Sequence, residues 1–350
     1  MSNTGADAPA HTSICAPADA PAAPAVPEPV RLRAAELKTL AQRSNGPALR
    51  QTLLHLGAIT ATGALLWQAL GTVWAVPLTV LLGYLQAFLF TALHECAHQT
   101  AFRSRAGNTL LGHLSGLAIL LPFEYYRAFH WDHHRYTQDT ERDPELSSPL
   151  PARGWPLLWY FSGLPTWRDR IRLRLVHGVL GRVTAPWVAA DNRPRIVREA
   201  RCYLAFYALV AIVSITTRSM AAVWLWIVPV MFGQVFLRPY LLAEHTGCGH
   251  SRDMLENTRT TFTHAFVRRF AWNMPFHAEH HAYPAVPFHA LPRLHTRLAG
   301  RIVHTAPSYR AATAAVVRSL ADSSAAARPS AICCDTAVKV APSAAVRRAD

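Results

Sequence analysis

Three short histidine clusters in this sequence have the residue type and spacing of metal ligands. They read HECAH at residues 94–98, HWDHH at 130–134 and HAEHH at 277–281. Histidines three or four positions apart share one face of a helix, whereas an adjacent pair diverges enough to reach two different ions. The eight histidines are His94, His98, His130, His133, His134, His277, His280 and His281. Neutral imidazole binds iron, zinc and copper, and eight imidazoles exceed the needs of one ion. The clusters therefore predict one site with two metal ions.

The first cluster also matches HExxH, the motif of zinc proteases in which the glutamate acts as general base. In that interpretation Glu95 would be essential. It explains only His94 and His98, however, and leaves the other six histidines without a role. A membrane zinc protease is therefore a remote alternative.

Four apolar segments could hold the clusters at a membrane. They cover residues 52–70, 73–93, 202–217 and 219–242. A helix needs about 20 apolar residues to cross the hydrocarbon core, and these segments lack the polar face of a soluble helix. The composition agrees, with 51% hydrophobic and 16% charged residues. We predict an all-α integral membrane fold with four transmembrane helices in two hairpins.

The basic residues set the expected orientation of the hairpins. Five precede the first segment and many lie in the central region, whereas Arg218 is alone in the two turns on the other side. Cytoplasmic loops carry the excess of basic residues, so both termini and the central region are expected to be cytoplasmic. Two shorter apolar runs, 109–123 and 155–165, fit interfacial or re-entrant helices. If 109–123 crossed the membrane, the first two clusters would lie on opposite faces.

The remaining sequence features limit the partners. Residues 1–30 are rich in Ala and Pro and are expected to form a disordered tail, 31–305 the membrane domain, and 306–350 a largely disordered C-terminal segment. The net charge of +14 comes almost entirely from arginine, and no nucleic-acid-binding motif accompanies it. We expect no nucleic-acid partner and attribute the charge to loops near anionic lipid headgroups. The six cysteines show no CxxC pairing, which favours free thiols.

The histidine clusters and their surroundings resemble the membrane fatty acid desaturase and hydroxylase superfamily. The matching strings are HECAHQTAF, FHWDHHRYTQDTERDPEL and WNMPFHAEHHAYPAVPFHALPRLH, within residues 50–300. The resemblance implies a nonhaem diiron centre, a cytoplasmic helical cap that carries the histidine boxes, and oxidation of an unactivated C–H bond by O2. It also implies a ninth ligand at the end of the fourth span, where His245 fits better than His250. Some members carry an assisting Asn one turn earlier, where this chain has Leu241.

Metal-binding imidazoles usually donate their second N–H to a carboxylate or carbonyl. Asp143 and Glu244 are the preferred candidates for this role. Asn273 could bond a ligand or a metal-bound water if the stretch before His277 is helical. The weaker carboxylate candidates are Asp132, Asp139, Glu141 and Glu279. Arg127, Arg135 and Arg293 could hold an anionic headgroup, although an ordinary lipid-facing role is the simpler interpretation.

The resemblance implies desaturation of a fatty acyl chain, with a hydroxylase, acetylenase or carotenoid-type oxygenase as alternatives. The acyl group could be carried in a lipid, on CoA or on acyl carrier protein. The sequence has no HPGG haem-binding string, so the electrons are expected from an external donor such as a ferredoxin. The expected location is a bacterial inner membrane with the active site on the cytoplasmic side.

Overall fold

The computed structural model describes residues 32–148 and 150–326, so the predicted tail at 1–30 lies outside the described residues. The described chain is mainly helical, which confirms the fold class at that level. The first eight helices are α1 Ala34–Leu40, α2 Asn45–Ala69, α3 Ala75–Ala87, α4 Leu89–Ala97, α5 Arg105–Ala118, α6 Phe123–Tyr136, α7 Trp155–Phe161 and α8 Leu164–Gly178. The other seven are α9 Arg193–Thr216, α10 Val228–His245, α11 Met254–Asn257, α12 Ala265–Phe270, α13 His277–Ala282, α14 Leu291–Leu298 and α15 Tyr309–Ala326.

Shorter elements connect these helices. Single 3₁₀ turns occupy Pro144–Ser147, Ala190–Asn192, Phe288–Ala290 and Ala299–Arg301, and a π-helical turn, Val223–Ile227, leads into α10. Two strands, β1 Arg259–Thr261 and β2 His304–Ala306, pair in parallel. This small sheet ties the segment between α11 and α12 to the segment that precedes α15.

Two continuous helical stretches in the described residues are long and apolar enough to cross a membrane. They are Ala75–Ala97, formed by α3 and α4, and Val223–His245, formed by the π-helical turn and α10. They contain most of the predicted second and fourth spans. The predicted first and third spans lie on α2 and α9, of 25 and 24 residues. Those two crossings, and hence the four-span topology, stay predictions.

A third apolar stretch is bent. Helices α5 and α6 are long and apolar enough to cross a membrane only when they are taken together, and they meet at an angle of 103°. At the break, the buried side chains of Arg170 and Arg174 donate hydrogen bonds to the carbonyl oxygens of Ile119 (2.5 Å) and Leu120 (2.7 Å). Buried backbone carbonyls need such partners, because leaving them unpaired is costly. The predicted interfacial or re-entrant run at 109–123 thus forms most of α5 and the turn into α6.

The two apolar stretches pack closely through glycine. A Cβ added to Gly83 of α3 would collide with the carbonyl oxygen of Pro229, and one added to Gly233 of α10 would collide with the carbonyl oxygen of Gly83. Gln86 donates a further hydrogen bond of 2.7 Å to the carbonyl oxygen of Leu225. Small residues permit this approach between helices inside a membrane. The contact aligns the helix ends that carry the first cluster and His245.

The turn before the third cluster is fixed by a buried histidine. Trp272 and Asn273 both have positive φ, 51° and 56°, so this stretch is a turn and not the helix on which the prediction for Asn273 depended. The indole of Trp272 donates to Nδ1 of His55 at 3.1 Å, and Nε2 of His55 donates to the carbonyl oxygen of Leu85 at 2.9 Å. The turn is therefore fastened to α2 and α3.

The C-terminal segment differs from the prediction over its first part. Residues 306–350 were expected to be largely disordered, yet α15 spans Tyr309–Ala326. Val316 is buried against Leu242 of α10, and Ala312 packs with Ala243. Alanine-rich composition suggested a tail, but the small side chains instead allow α15 to lie close to α10. Residues 327–350 lie outside the described part of the chain.

Candidate metal centre

Four helices bring the nine predicted histidines into one buried cluster. The three histidine strings are called boxes from here on. The first box, residues 94–98, lies at the end of α4, the second, 130–134, on α6, and the third, 277–281, on α13. His245 is the last residue of α10. Each of the nine side chains is at most 7% exposed. No two of these four helices are consecutive in the chain. The cluster is therefore a product of the tertiary fold.

The nitrogens form two groups. Within each group, one nitrogen of every histidine lies within 4.8 Å of the others. The first group contains His94, His98, His130, His134 and His280, and the second contains His133, His245 and His281. His277 adjoins the second group, with Nε2 3.2 Å from Nε2 of His245. The adjacent histidines of the second and third boxes fall into different groups, which is the divergence expected from their spacing.

The donor set fits metal ions. Nε2 of His130 lies 2.8 Å from Nε2 of His98 and 3.1 Å from Nε2 of His134, and Nε2 of His134 lies 3.2 Å from Nε2 of His280. Two nitrogens bound to one ion at about 2.0–2.1 Å are roughly 3 Å apart when they subtend a right angle. Both ring nitrogens of His94 are buried without a hydrogen-bond partner, as is Nε2 of His281. Such orphaned nitrogens are the expected state of ligands that face an ion.

Burial keeps the histidines of the third box neutral. Desolvation, reinforced by the neighbouring histidines, lowers the pKa of His277, His280 and His281 well below the usual value. Each is therefore neutral at physiological pH and can offer a lone pair. A neutral imidazole is the form that binds a metal.

Asp143 orients His133, as predicted for a carboxylate beside the site. Its Oδ1 accepts a hydrogen bond of 2.9 Å from Nδ1 of His133, which leaves Nε2 facing His245 at 3.2 Å. Burial alone would raise the pKa of Asp143, but the bond from His133 and the backbone N–H groups of Gln138 and Glu145 lower it below its usual value. The ionised carboxylate thus fixes the tautomer of His133.

Backbone and hydroxyl groups hold other members of the second group. Nδ1 of His245 lies 3.4 Å from the carbonyl oxygen of Asn257. Thr137 donates to the carbonyl oxygen of His133 at 2.8 Å, so its Oγ1 can accept from Nδ1 of His281 at 3.2 Å. Neither Asn257 nor Thr137 was predicted. Thr137 could have been found, since it follows His133 by one helical turn, whereas Asn257 has no signal in the sequence.

The other predicted carboxylates take different positions. Oε1 of Glu244 lies 3.5 Å from Nδ1 of His277, an electrostatic contact without hydrogen-bond geometry. Glu279, a weaker candidate, is fully buried and contacts Nδ1 of His295 and Oγ1 of Thr260. It thereby fastens α13 to α14 and β1. Sequence reasoning missed the partners because each lies 16 or more residues away from Glu279.

Two predicted residues do not contact the cluster. The amide of Asn273 donates to the carbonyl oxygen of Phe288 at 3.0 Å, because the positive φ of its turn directs the side chain there. Nδ1 of His250 lies 3.0 Å from the carbonyl oxygen of Gln138, so His250 supports the loop around Asp143. Of the two rivals for the ninth position, His245 is the one whose ring joins one of the two histidine groups.

Glu95 makes a structural hydrogen bond, whereas the zinc-protease interpretation requires it to act as a general base. Its Oε1 accepts the backbone N–H of Phe288 at 3.0 Å, and the side chain is fully buried. His94 and His98 meanwhile share their group with three histidines of the other boxes. The geometry of Glu95 favours a role in tying α4 to the segment after the third box.

A carboxylate from α9 fixes the start of α6. Glu199 accepts the backbone N–H of Glu124 at 2.9 and 3.1 Å and approaches that of Tyr125 at 3.4 Å. Helix N-termini expose unpaired N–H groups and a partial positive charge, so a buried carboxylate is favourable there. No motif in the sequence indicates this link, which positions the second box against α9.

Comparison with known proteins agrees with the geometry. A family model described as fatty acid desaturase matches residues 31–313. An sn-1 oleoyl-lipid 12-desaturase of Picosynechococcus sp. is 26% identical over 213 residues, which cover 57% of this chain and 58% of that protein. A beta-carotene 4-ketolase of Haematococcus lacustris is 27% identical over 133 residues, or 35% of this chain and 41% of that protein.

A third relative is an sn-1 acyl-lipid omega-3 desaturase (ferredoxin) of Nostoc sp. It is 38% identical over 55 residues, which cover 16% of this chain and 15% of that protein. The matches therefore span less than two thirds of the length of each of these three relatives.

Proposed function

The chain belongs to the fatty acid desaturase family, and we propose on that premise that it uses O2 to oxidise an unactivated C–H bond of a fatty acyl chain, introducing a double bond. The family membership confirms the resemblance seen in the histidine boxes. The observation that carries the proposal is the convergence of nine buried histidines, eight of them in two adjoining groups and His277 beside the second. A binding protein would have no need for so many imidazoles with orphaned nitrogens.

We assign the nine histidines to two nonhaem iron ions. His94, His98, His130, His134 and His280 would hold one, and His133, His245, His277 and His281 the other. When bound, two ferrous ions supply the activation of O2 that removal of hydrogen from a methylene group requires. The protein contributes neutral imidazoles, orientation of His133 by Asp143, and burial that excludes water from the reaction.

An apolar cavity supports a lipid substrate. It has a volume of about 770 Å³ and lies between α8, α9 and the Val223–His245 stretch, with Trp167, Tyr207, Trp226 and Met231 among its lining residues. No histidine of the cluster lines it. We propose that this cavity accommodates part of a lipid acyl chain, and that the reacting carbons reach the histidine groups from the membrane side.

A carotenoid oxygenase is the second candidate. The similarity to the beta-carotene 4-ketolase covers 35% of this chain and is as high in identity as the similarity to the oleoyl-lipid desaturase. The same buried histidines would serve either reaction, because both begin with the removal of hydrogen from a C–H bond of an apolar substrate. The two substrates differ in length and flexibility, so the choice between the two reactions depends on which of them the cavity can hold.

The remaining assignments follow from the relatives and the composition. The relatives' names indicate substrates esterified in lipids, and one names ferredoxin. We propose an acyl lipid as substrate, in preference to acyl-CoA or acyl carrier protein, and an external ferredoxin-type donor. We also propose an inner-membrane location in a bacterium, with both termini and the histidine cluster on the cytoplasmic side.

Expression in a bacterial host without such enzymes, followed by mass spectrometry of its lipids, tests the proposed function. Desaturation gives acyl chains lighter by two hydrogens, whereas hydroxylation adds one oxygen. Parallel feeding of β-carotene tests the ketolase alternative. Unchanged acyl chains together with a ketocarotenoid would overturn the desaturase proposal, and iron content near two ions per chain would support the metal assignment.

A further inference from the structure

A polar pocket opens beside the first histidine group. It has a volume of about 330 Å³ and is formed by α6, the end of α4 and the segment that begins α9. Its lining includes the indole of Trp131 and the guanidinium groups of Arg127, Arg135 and Arg195. The nine histidines do not line this pocket, and the metal assignment does not use it.

Trp131 connects the pocket to the histidine cluster. Its side chain is in the pocket lining and 45% exposed, although its neighbours His130 and His133 on α6 are buried. The other side of the indole meets His98, with ring centroids 5.1 Å apart in an edge contact. Its Nε1 donates a hydrogen bond of 3.2 Å to the carbonyl oxygen of Ala97, which fixes the ring. One aromatic side chain thus spans from solvent to a predicted iron ligand.

The most exposed charges at this pocket are positive. Glu124, only 5% exposed, is paired with Arg127 at 3.0 Å and Arg195 at 2.6 Å, whose side chains are 30% and 48% exposed. Arg135 is 69% exposed and lies 3.8 Å from Asp132, which is 22% exposed. The carboxylates are the more buried member of every pair. A partner approaching the pocket therefore meets three guanidinium groups.

We propose that this pocket is the docking site of a soluble, acidic one-electron carrier of the ferredoxin class, and that Trp131 is the side chain through which electrons pass toward His98. The inference rests on the proposed function. Desaturation requires an outside reductant, because R–CH2–CH2–R′ + O2 + 2 e⁻ + 2 H⁺ gives R–CH=CH–R′ + 2 H2O. Two carriers would each deliver one electron in turn.

Charge complementarity favours this occupant. The chain carries a net charge of +14, and positive surface patches accelerate association with acidic proteins. An anionic lipid headgroup would also be attracted by three arginines, but it would gain nothing from an indole that reaches a buried histidine. The contact between Trp131 and His98 is therefore the feature that selects an electron carrier over a lipid.

Binding measurements test the docking surface without reference to turnover. The iron-loaded protein in phosphatidylcholine nanodiscs is titrated with a plant-type [2Fe–2S] ferredoxin at several salt concentrations. The variant Arg135→Glu, alone and combined with Arg195→Gln, should weaken binding, by about tenfold for the pair, and flatten the salt dependence. Arg168→Glu is the matched control, since Arg168 is 71% exposed and does not line the pocket.

Stopped-flow reoxidation of reduced ferredoxin tests Trp131 itself. Trp131→Leu should slow electron transfer at saturating ferredoxin while the dissociation constant stays that of the wild type, and Trp131→Phe should restore most of the rate. Iron content and thermal midpoint of each variant show whether it is folded. Wild-type turnover driven by reduced methyl viologen reports on the proposed function separately, because this small cation needs no arginine docking site.

The outcomes are distinct. Weaker binding by the Arg135 variants but not by Arg168→Glu, with slower transfer in Trp131→Leu, supports the proposal. Unchanged ferredoxin affinity in the double variant, or no binding by the wild type, overturns it. Loss of binding to phosphatidylglycerol vesicles with unchanged ferredoxin affinity would assign the pocket to lipid headgroups and also overturn it.

Discussion

At the scale of single residues, one ring nitrogen of a histidine bonds to a protein group while the other faces the proposed metal ion. His133 shows this most clearly, with Nδ1 bonded to Asp143 and Nε2 facing His245. His281 does the same, with Nδ1 near Thr137 and Nε2 without a protein partner. Holding one nitrogen fixes the tautomer and the ring orientation before any ion arrives. Such preorganisation raises metal affinity.

Replacing His280 by Ala should abolish the oxidised lipid and reduce bound iron. His280 is fully buried, and its Nε2 lies 3.2 Å from that of His134. His264→Ala is the control, because His264 is exposed and outside both histidine groups. Iron analysis and lipid mass spectrometry are the measurements, and an active His280→Ala protein would contradict the ligand assignment.

Replacing Asp143 by Asn should lower iron affinity or activity by about 10–100-fold, since it removes the charge that orients His133. Asp139→Asn is a matched control in the same loop, because Asp139 accepts only the backbone N–H groups of Glu141 and Arg142. Competition for iron with a chelator of known affinity measures the difference. Equal affinities in the two variants would show that Asp143 has no orienting role.

At the scale of elements, the second and third boxes depend on contacts from helices far away in the sequence. Glu199 of α9 binds the first N–H groups of α6, and Glu279 of α13 contacts α14 and β1. The boxes lie on short helices of 14 and 6 residues. Helices of this length owe their stability mainly to such tertiary contacts.

Glu199→Gln should lower the free energy of unfolding by about 1–2 kcal/mol, because the amide keeps an acceptor but loses the charge at the N-terminus of α6. Thermal unfolding in detergent, monitored by tryptophan fluorescence, is the measurement. Glu36→Gln is the control, since its ion pair with Arg297 lies near the surface, with the two side chains 31% and 61% exposed, and contributes at most about 1 kcal/mol. A larger loss in the control would refute the capping role.

Gly233→Ala should prevent the close approach of α3 and α10 and destabilise the protein by about 1–3 kcal/mol or more, since the added methyl group meets the backbone of Gly83. Gly57→Ala on α2 is the control, because nothing lies within 4 Å of an added Cβ there. The yield of monodisperse protein in size-exclusion chromatography reports the effect. Equal yields would show that the helices can separate without harm.

At the scale of the whole molecule, the membrane sets the relation between the boxes. The stretches Ala75–Ala97 and Val223–His245 both end in cluster histidines, so their C-terminal ends lie on the same side. The second box joins the same histidine groups, which requires the α5–α6 pair, bent by 103°, to end on the side on which it begins. This arrangement requires an even number of crossings between His98 and His245 in total, and therefore an odd number besides the stretch that ends at His245.

The predicted topology has a direct test. Alkaline phosphatase, which is active only outside the bacterial cytoplasm, should be active when fused after Arg218 and inactive when fused after Asp191. The turn at Arg218 joins the third and fourth predicted spans, whereas Asp191 lies in the basic central region. The reverse pattern would contradict the orientation, and equal activity at both points would contradict the crossing of α9.

Family, helical character and the identity of the clustered histidines were predictable from the sequence. A pattern such as HxxHH acts within one helical turn, so its geometry follows from the helix itself. The choice of His245 over His250 also followed from proximity to the end of an apolar span. These features are local, and local geometry depends little on the rest of the fold.

Only the tertiary structure decided how the histidines divide into groups and what holds them. His280 joins His94 and His130, while His281 joins His133 and His245, because the packing of α13 against α4, α6 and α10 sets the direction of each ring. The roles of Glu199 and Trp131 likewise depend on contacts with residues 75 and 34 positions away in the chain. The role of His295 depends on its contact with Glu279, 16 positions away and on another helix. Sequence spacing fixes which residues share a helix face, but burial and packing determine which faces meet.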